Sequence, residues 1–162
     1  MAQYAANTSV SPEKSRAEIE RTLSRYGARR FAYMRDDDEG WARIQFVIEE
    51  RIVQIELPLP KATERRFTHT EAKDRERSED AARKAWEQAC RQGWRALGLV
   101  IKAKLEAVEA GISTFEQEFM AHLMLPNGQT AGEVLIPRIL QAQGSQEMLA
   151  ALPWRGEIDA AT

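Results

Sequence analysis

Hydrophobic residues recur at helical spacing over the longest patterned stretch of the chain, Ala81–Val108. Large apolar side chains repeat there at steps of three and four residues, which places them on one face of a helix. They are Trp86, Cys90, Trp94, Leu97, Ile101, Leu105 and Val108. The pattern predicts one long helix that ends near Gly111 and buries this bulky face.

The same helix carries two other faces. Alanines occupy every seventh position, at Ala82, Ala89, Ala96, Ala103 and Ala110. Such small residues allow another helix to approach closely, either the first helix of the chain or a second copy of the protein. Basic residues fall within roughly 40° of one another on the third face. They are Lys84, Arg91, Arg95 and Lys102.

A shorter helix is predicted before the sheet. Ser11 followed by Pro12 is typical of a helix start, because serine caps free N–H groups and proline needs none. Ile19 and Leu23 give this helix a narrow apolar edge, and Gly27 is suited to end it.

From Arg29 the hydrophobic period changes to two, which is typical of strands. Three alternating runs follow, separated by turn residues at Asp36–Gly40 and Glu49–Arg51 and ended by Pro58. Their apolar positions are Phe31, Tyr33, Ile44, Phe46, Ile48, Val53, Ile55 and Leu57. The runs predict an antiparallel meander whose apolar face is covered by the bulky face of the long helix.

The remaining segments are less regular. Residues 61–80 include twelve charged residues without periodicity, which predicts a solvated linker or a mobile flap. Ser113 with Glu116, and Thr130 with Glu133, have the spacing of helix capping boxes. Pro137 is expected to kink or break the last helix.

These elements predict a single α+β domain over residues 11–143. It comprises an N-terminal helix, a three-stranded antiparallel meander packed on one long helix, and short C-terminal helices. Residues 1–10 are expected to form a flexible tail. Residues 144–162 are expected to form a second tail, in which Trp154 either docks on the domain or stays exposed as a contact point.

Composition places the chain among globular proteins. Apolar residues make up 43% of it, charged residues 30%, and the net charge is −2. No apolar run approaches the roughly 20 residues of a membrane span, and no signal peptide is visible at the start. The single cysteine, Cys90, has no internal partner for a disulfide. We therefore expect a cytoplasmic protein without a membrane partner, in which Cys90 is an inert buried thiol.

Residues that support catalysis or metal binding are scarce. His69, His122 and Cys90 are too few and too scattered for a zinc site. No glycine-rich phosphate loop or nucleophile motif occurs, and Asp36–Asp38 are explained by a solvated hairpin tip. His122 fits a core or boundary position better than a catalytic base. We therefore expect no metal, no cofactor and no enzymatic activity.

The basic residues are the best functional candidates. The four on the long helix can meet successive phosphates of a nucleic acid. The first helix and strand extend this surface with Arg21, Arg25, Arg29 and Arg30. Trp41 and Tyr33 can stack on bases if they point outward. The alternative is that the basic stripe is a solvated or partner-facing surface of no special function.

Two segments resemble a known group of proteins. These are SPEKSRAEIERTLSRYGARRFAY and AWEQACRQGWRALGLVIKAKLEAVEAGISTFEQEFMAHLMLPNGQTAGEVL, residues 11–33 and 85–135. They resemble a widespread group of small uncharacterised proteins of tailed phages and prophages, which implies a bacterial host. The element order is also similar to the core of phage single-strand annealing proteins. That similarity implies a basic groove for single-stranded DNA and ring-shaped assemblies.

These observations lead to two functional hypotheses. The first is a non-enzymatic phage accessory protein of DNA metabolism, which binds single-stranded DNA or a DNA–protein intermediate through the basic helix faces. The second is a protein–protein inhibitor of a host defence or replication factor. A purely structural homo-oligomer, held together by the alanine face, is a third possibility.

Overall fold

The computed structural model describes residues 8–70 and 74–143. Residues 1–7 of the expected N-terminal tail and all of the expected tail 144–162, including Trp154, lie outside the described residues. The Thr8 carbonyl oxygen, in the described part of the first tail, accepts a hydrogen bond from Gln88 Nε2 at 3.1 Å. The elements follow the predicted order of an α+β fold. They are α1 (Pro12–Arg25), β1 (Arg29–Asp36), β2 (Trp41–Ile48), β3 (Arg51–Pro58), α2 (Arg65–Thr68), α3 (Glu79–Glu109), α4 (Phe115–Phe119), a 3₁₀ turn (Met120–His122) and α5 (Ala131–Gln143).

The three strands form the antiparallel meander that the alternation predicts, in the order β1-β2-β3. Ile44 at the centre of β2 lies opposite Tyr33 on one side and Ile55 on the other. Alternate residues of β2 are buried on one face of the sheet. Glu49 and Glu50, with φ of 44° and 66°, form the tight turn between β2 and β3. Turns of this kind usually contain asparagine or glycine.

The bulky face of α3 covers the buried face of the sheet, as predicted. Trp94, Leu97, Ile101 and Leu105 are buried there. They belong to one core with side chains from all three strands and from α1. This core supplies the apolar burial that stabilises the domain.

Helix α1 packs on α3 at a position that the alanine pattern does not indicate. A Cβ atom at Gly98 would lie 3.4 Å from the Ile19 side chain, so the missing side chain lets the helices approach. Ala103 is exposed. The prediction that the alanine face receives α1 is therefore wrong, because Gly98 provides the space. Self-association through Ala82, Ala89, Ala96 and Ala103 stays a prediction.

The charged segment includes regular structure in its described residues, 61–70 and 74–80. It contains the short helix α2, in which Phe67 is buried. The Trp86 Nε1 atom donates a hydrogen bond to the Pro60 carbonyl oxygen, 2.7 Å away. Helix α3 already begins at Glu79, with Ser78 as its cap. Phe67 departs from the predicted solvation, whereas most of the other described side chains between residues 61 and 80 are exposed.

The C-terminal helices confirm one predicted cap and correct another. Thr130 and Glu133 exchange hydrogen bonds at the start of α5, as their spacing predicts. Helix α4 is capped by Thr114 and Gln117 instead of Ser113 and Glu116. Ser113 donates its hydroxyl proton to Glu118 instead. Helix α5 continues past Pro137 without a break.

The chain between the 3₁₀ turn and α5 adds a short extended segment to the sheet. The Met124 N–H donates to the Ile52 carbonyl oxygen at 2.8 Å, and Leu123 forms a bridge with Val53. The base of α5 is fixed nearby, since Ala131 and Gly132 are buried. A Cβ at Gly132 would lie only 2.7 Å from the Ala121 carbonyl oxygen.

Candidate nucleic-acid interface

The basic residues predicted on the long helix lie on α3, but most of them already have partners. The Lys84 Nζ atom lies 2.6 Å from the Asp80 carboxylate, and Arg95 Nη1 lies 2.5 Å from Glu18. Arg91 donates two hydrogen bonds to Gln88 and lies 3.8 Å from Glu87. The exposed Lys102 has no ion pair within the described residues. This set is therefore a partly neutralised surface.

Helix α1 explains why this face of α3 is partly neutralised. It lies over the edge that carries Arg95 and Lys102, and brings Glu18 against Arg95. The crevice between the two helices encloses about 150 Å³. The Ser15 hydroxyl at its edge is buried and has no hydrogen-bond partner within the described chain. A phosphate entering here would have to compete with Glu18.

The basic residues predicted on the first helix and strand have a different environment. All four side chains are exposed, and none forms an ion pair with any residue that the structure describes. Within the described residues, the only side-chain hydrogen bond of the set joins Arg21 Nε to the Ala17 carbonyl oxygen, at 3.3 Å. These residues, the arginine set, are Arg21, Arg25, Arg29 and Arg30.

Local backbone geometry brings the arginine set together at one corner of the domain. Arg21 and Arg25 are one turn apart on α1, so their side chains are neighbours. Gly27, with φ of 89°, reverses the chain immediately before Arg29. Arg30 has φ of 56° and lies at the irregularity in the β1–β2 register, and both Arg29 and Arg30 are exposed there.

Acidic residues border the arginine set on one side. Arg29 and Arg30 line a groove with Glu49 and Glu50 on its other wall, over Val47 and Ile52. Arg51 Nη1 binds Glu49 at 2.6 Å, which offsets part of that negative charge. A polyanion that entered this groove would therefore meet carboxylates as well as arginines.

Tyr26 lies beside the arginine set and is held by the end of α3. Its hydroxyl donates to Glu109 Oε2 at 2.7 Å. This hydrogen bond, with burial and the nearby Glu106, raises the pKa of Tyr26 to about 12. Tyr26 is thus a neutral hydrogen-bond donor at any physiological pH, and the Glu109 carboxylate accepts its hydrogen bond.

The two aromatic residues considered for base stacking point in opposite directions. Tyr33 faces α1, and its hydroxyl donates to the Arg16 carbonyl oxygen at 3.4 Å. Burial and the nearby Glu20 raise the pKa of Tyr33 to about 12. Trp41 lies on the sheet face opposite the core, and the Arg43 guanidinium stacks 4.1 Å from its ring centroid. Only Trp41 is placed to meet an external ligand.

Chemically reactive groups are sparse in the part of the chain that the structure describes. No group of three His, Cys, Asp or Glu side chains there could hold a metal ion. Burial raises the pKa of the Cys90 thiol, which keeps it protonated. Burial, together with Lys104, lowers the pKa of His122, while a hydrogen bond that its ring donates to the Gln54 backbone opposes that shift.

Sequence reasoning did not find a set of exposed apolar side chains on α5. They are Leu135, Ile136, Ile139 and Leu140. The pattern of these residues predicts an amphipathic helix, but it does not show that no residue between 8 and 143 that the structure describes covers the apolar face. Only the placement of α5 beside the 3₁₀ turn reveals this.

Comparison with protein-family models, with curated proteins and with solved structures found no match to this chain. None of the described helices is both long enough and apolar enough to cross a bilayer. Function must therefore be inferred from the surfaces themselves.

Proposed function

We propose that this chain is a non-enzymatic accessory protein of DNA metabolism, from a phage or prophage, that binds single-stranded DNA. One observation carries the proposal: four exposed arginines at one corner of the fold have no carboxylate partner in the described chain. Arginine binds phosphate oxygens with two parallel hydrogen bonds. A phosphate can therefore bind these arginines without breaking an ion pair within the described chain.

The residues on α3 contribute less in this proposal. Arg91 and Arg95 would have to release Gln88 and Glu18 before they could bind phosphate. Lys102 is exposed and free of ion pairs within residues 8–70 and 74–143, so it extends the contact along α3. A single strand fits this surface better than a duplex, because four arginines at one corner can contact the phosphates of one nucleic-acid backbone.

The test is the fluorescence anisotropy of a labelled single-stranded oligonucleotide, titrated with protein at several salt concentrations. Each phosphate contact on a single strand contributes about −0.7 to the slope of log K against log salt. Four contacts therefore give a slope of about −3. Arg25→Gln/Arg29→Gln should halve the slope and weaken binding at low salt.

Arg65→Gln/Arg66→Gln is the matched control, since it also removes two exposed arginines but in a different part of the fold. It should leave affinity nearly unchanged. Arg91→Gln/Arg95→Gln should have an intermediate effect. Equal losses in the control and in Arg25→Gln/Arg29→Gln would indicate non-specific attraction and would contradict the proposal.

A second candidate function is inhibition of a host defence or replication protein. The observation that favours it is the exposed apolar face of α5, which binding to a polyanion does not require. In this case Ile136→Glu/Ile139→Glu should abolish any effect of the protein on host growth, while Arg25→Gln/Arg29→Gln should retain it. The reverse pattern would support the DNA-binding function.

A further inference from the structure

The groove between the arginine set and the β2–β3 turn, the corner groove, has three kinds of surface. Guanidinium groups line one wall, carboxylates line the other, and apolar side chains lie between them. In that order they are Arg29 and Arg30, Glu49 and Glu50, and Val47 and Ile52. Its volume of about 690 Å³ is within the range of small-ligand sites. These surfaces suit a ligand with an anionic group at one end and hydrogen-bond donors at the other.

The floor of the corner groove is apolar and open to solvent. Ile52 is 48% exposed, and Val47 lies opposite it in the β2–β3 pairing. Tyr26, whose hydroxyl is held by Glu109, lines the same groove. Aromatic and apolar side chains provide a surface on which a nucleobase stacks. A planar base can therefore lie on this floor.

The distance across the corner groove matches one nucleotide. Arg29 on β1 pairs with Val47 on β2, which pairs with Ile52 on β3. Adjacent strands lie roughly 4.8 Å apart, so these three residues span roughly 10 Å. The phosphate and the base edge of one nucleotide are separated by a similar distance. A phosphate on the arginine wall therefore allows its own base to reach the β2–β3 turn.

The two glutamates of the turn differ in their availability to a ligand. The Glu49 carboxylate accepts a hydrogen bond from Arg51 Nη1 at 2.6 Å. Glu50 is exposed and forms no ion pair with any residue that the structure describes. A two-residue turn holds both of them at the edge of the groove. The Glu50 carboxylate is therefore the one that a ligand can engage.

We propose that the corner groove binds a guanine nucleotide unit of single-stranded DNA, and that Glu50 recognises the base. This inference rests on the proposed function, because the arginine set supplies the phosphate contact. An ionised carboxylate accepts hydrogen bonds through two oxygens and donates none. The Watson–Crick edge of guanine presents two adjacent donors, N1–H and the N2 amino group. These donors match the two oxygens of one carboxylate.

The other bases match a carboxylate less well. Adenine and cytosine each present one amino group beside an acceptor nitrogen, and thymine presents one N–H between two carbonyl oxygens. In each case an acceptor of the base faces a carboxylate oxygen, which is repulsive. Good bidentate pairing to a base edge supports about tenfold discrimination. We therefore expect guanine to be favoured over each of the other three bases.

The charges of the two walls also fix the orientation of the nucleotide. A phosphate is attracted by Arg29 and Arg30 and repelled by Glu49 and Glu50, whereas a base carries no net charge. The acidic wall therefore admits the base and excludes the phosphate. This explains how a groove that is partly acidic contributes to binding of a polyanion.

Fluorescence anisotropy tests the preference with a labelled oligothymidine and with the same oligonucleotide carrying one central guanine. Guanine should tighten binding about tenfold, and one central adenine or cytosine should not. Equal affinity for all four oligonucleotides would overturn this inference and leave the proposed function intact. No binding of any of them at low salt would contradict both. Displacement of the oligonucleotide by an equimolar amount of free deoxyguanosine monophosphate would show that the free nucleotide is the ligand and would overturn the assignment to DNA.

Glu50→Gln isolates the contact with the base. It should lose most of the guanine preference but bind oligothymidine at least as tightly as the unaltered protein, because a negative charge near the phosphates is removed. Glu39→Gln is the matched control, since it removes one exposed carboxylate from the β1–β2 turn. It should keep the preference. A guanine preference retained by Glu50→Gln would overturn the inference.

A second variant separates recognition from folding. Glu49→Asn/Glu50→Gly places residues that favour positive φ in the β2–β3 turn. It should raise the melting temperature and abolish the guanine preference. A lower melting temperature would mean that the two glutamates support the fold instead of a ligand, which would also overturn the inference.

Discussion

Helices α3 and α5 have the same kind of sequence pattern but opposite environments. Both place large apolar residues on one face at helical spacing. On α3 that face is buried against the sheet, and Ile101 is wholly inaccessible. On α5 the corresponding face is exposed from Leu135 onward. Amphipathic periodicity therefore predicts a helix and its apolar face, but it does not identify the partner of that face.

The two helices also divide structural and binding roles. Helix α3 is central to the fold, since it contacts α1, α2, α4 and the sheet. Among the described residues, helix α5 is fixed only at its base. We therefore expect changes on α3 to alter the stability of the whole domain, and changes on α5 to alter interactions while leaving the domain folded.

The largest expected difference comes from shortening one apolar residue on each helix. Ile101→Ala should lower the free energy of unfolding by about 2–5 kcal/mol, because it leaves a cavity in a packed core. Leu140→Ala should change monomer stability by less than about 0.5 kcal/mol. Urea denaturation followed by circular dichroism, at low protein concentration, measures both. Equal losses would mean that α5 is part of the core.

Glycine substitutions in the two helices should have opposite effects. Gly132→Ala should destabilise the attachment of α5 by about 1–3 kcal/mol, because the new methyl group collides with the Ala121 carbonyl oxygen. On α3, the methyl group added by Gly93→Ala would contact only the Leu57 side chain, at an ordinary distance of 3.6 Å. This substitution should stabilise the domain by about 0.5–1 kcal/mol, because alanine favours a helix more than glycine does. Thermal unfolding distinguishes the two. Stabilisation by Gly132→Ala would contradict the close contact at the base of α5.

Removing the N-terminal cap of each helix sharpens the comparison further. Thr130→Ala and Ser78→Ala should each cost about 1 kcal/mol. The Thr130→Ala loss should appear as faster amide hydrogen exchange confined to α5, because that helix is fixed only at its base. The Ser78→Ala loss should lower the stability of the whole domain. Global destabilisation by Thr130→Ala would show that α5 unfolds together with the core.

The smallest expected effect is a pH dependence at the 3₁₀ turn that supports α5. Burial lowers the pKa of His122 below its ordinary value of 6.5, so the unfolded state binds more protons in this range. Stability should therefore rise with pH through this window and fall as pH drops below 6.5. His122→Gln should remove this slope, whereas His69→Gln should keep it. Denaturation at pH 5 and pH 7 measures the difference.

The N-terminal and α3 arginines show a similar contrast between pattern and environment. Sequence reasoning placed both groups in one nucleic-acid site because they share a charge. The structure pairs Arg95 with Glu18, a residue 77 positions away, and leaves Arg25 and Arg29 without ion pairs among the described residues. A long-range ion pair of this kind has no local signature in the sequence.

Local signals in the sequence were sufficient for the helices, the meander and most of their ends. Ser11, Gly27 and Thr130 act where their chemistry indicates, because caps and turns depend on a few neighbouring residues. Tertiary packing decided what local chemistry could not. Gly98 gives α1 room to approach, Phe67 is buried although its neighbours are charged, and the apolar stripe of α5 is left exposed by the described residues. Each outcome depends on groups distant in sequence that compete for the same space, and periodicity within one segment carries no information about them.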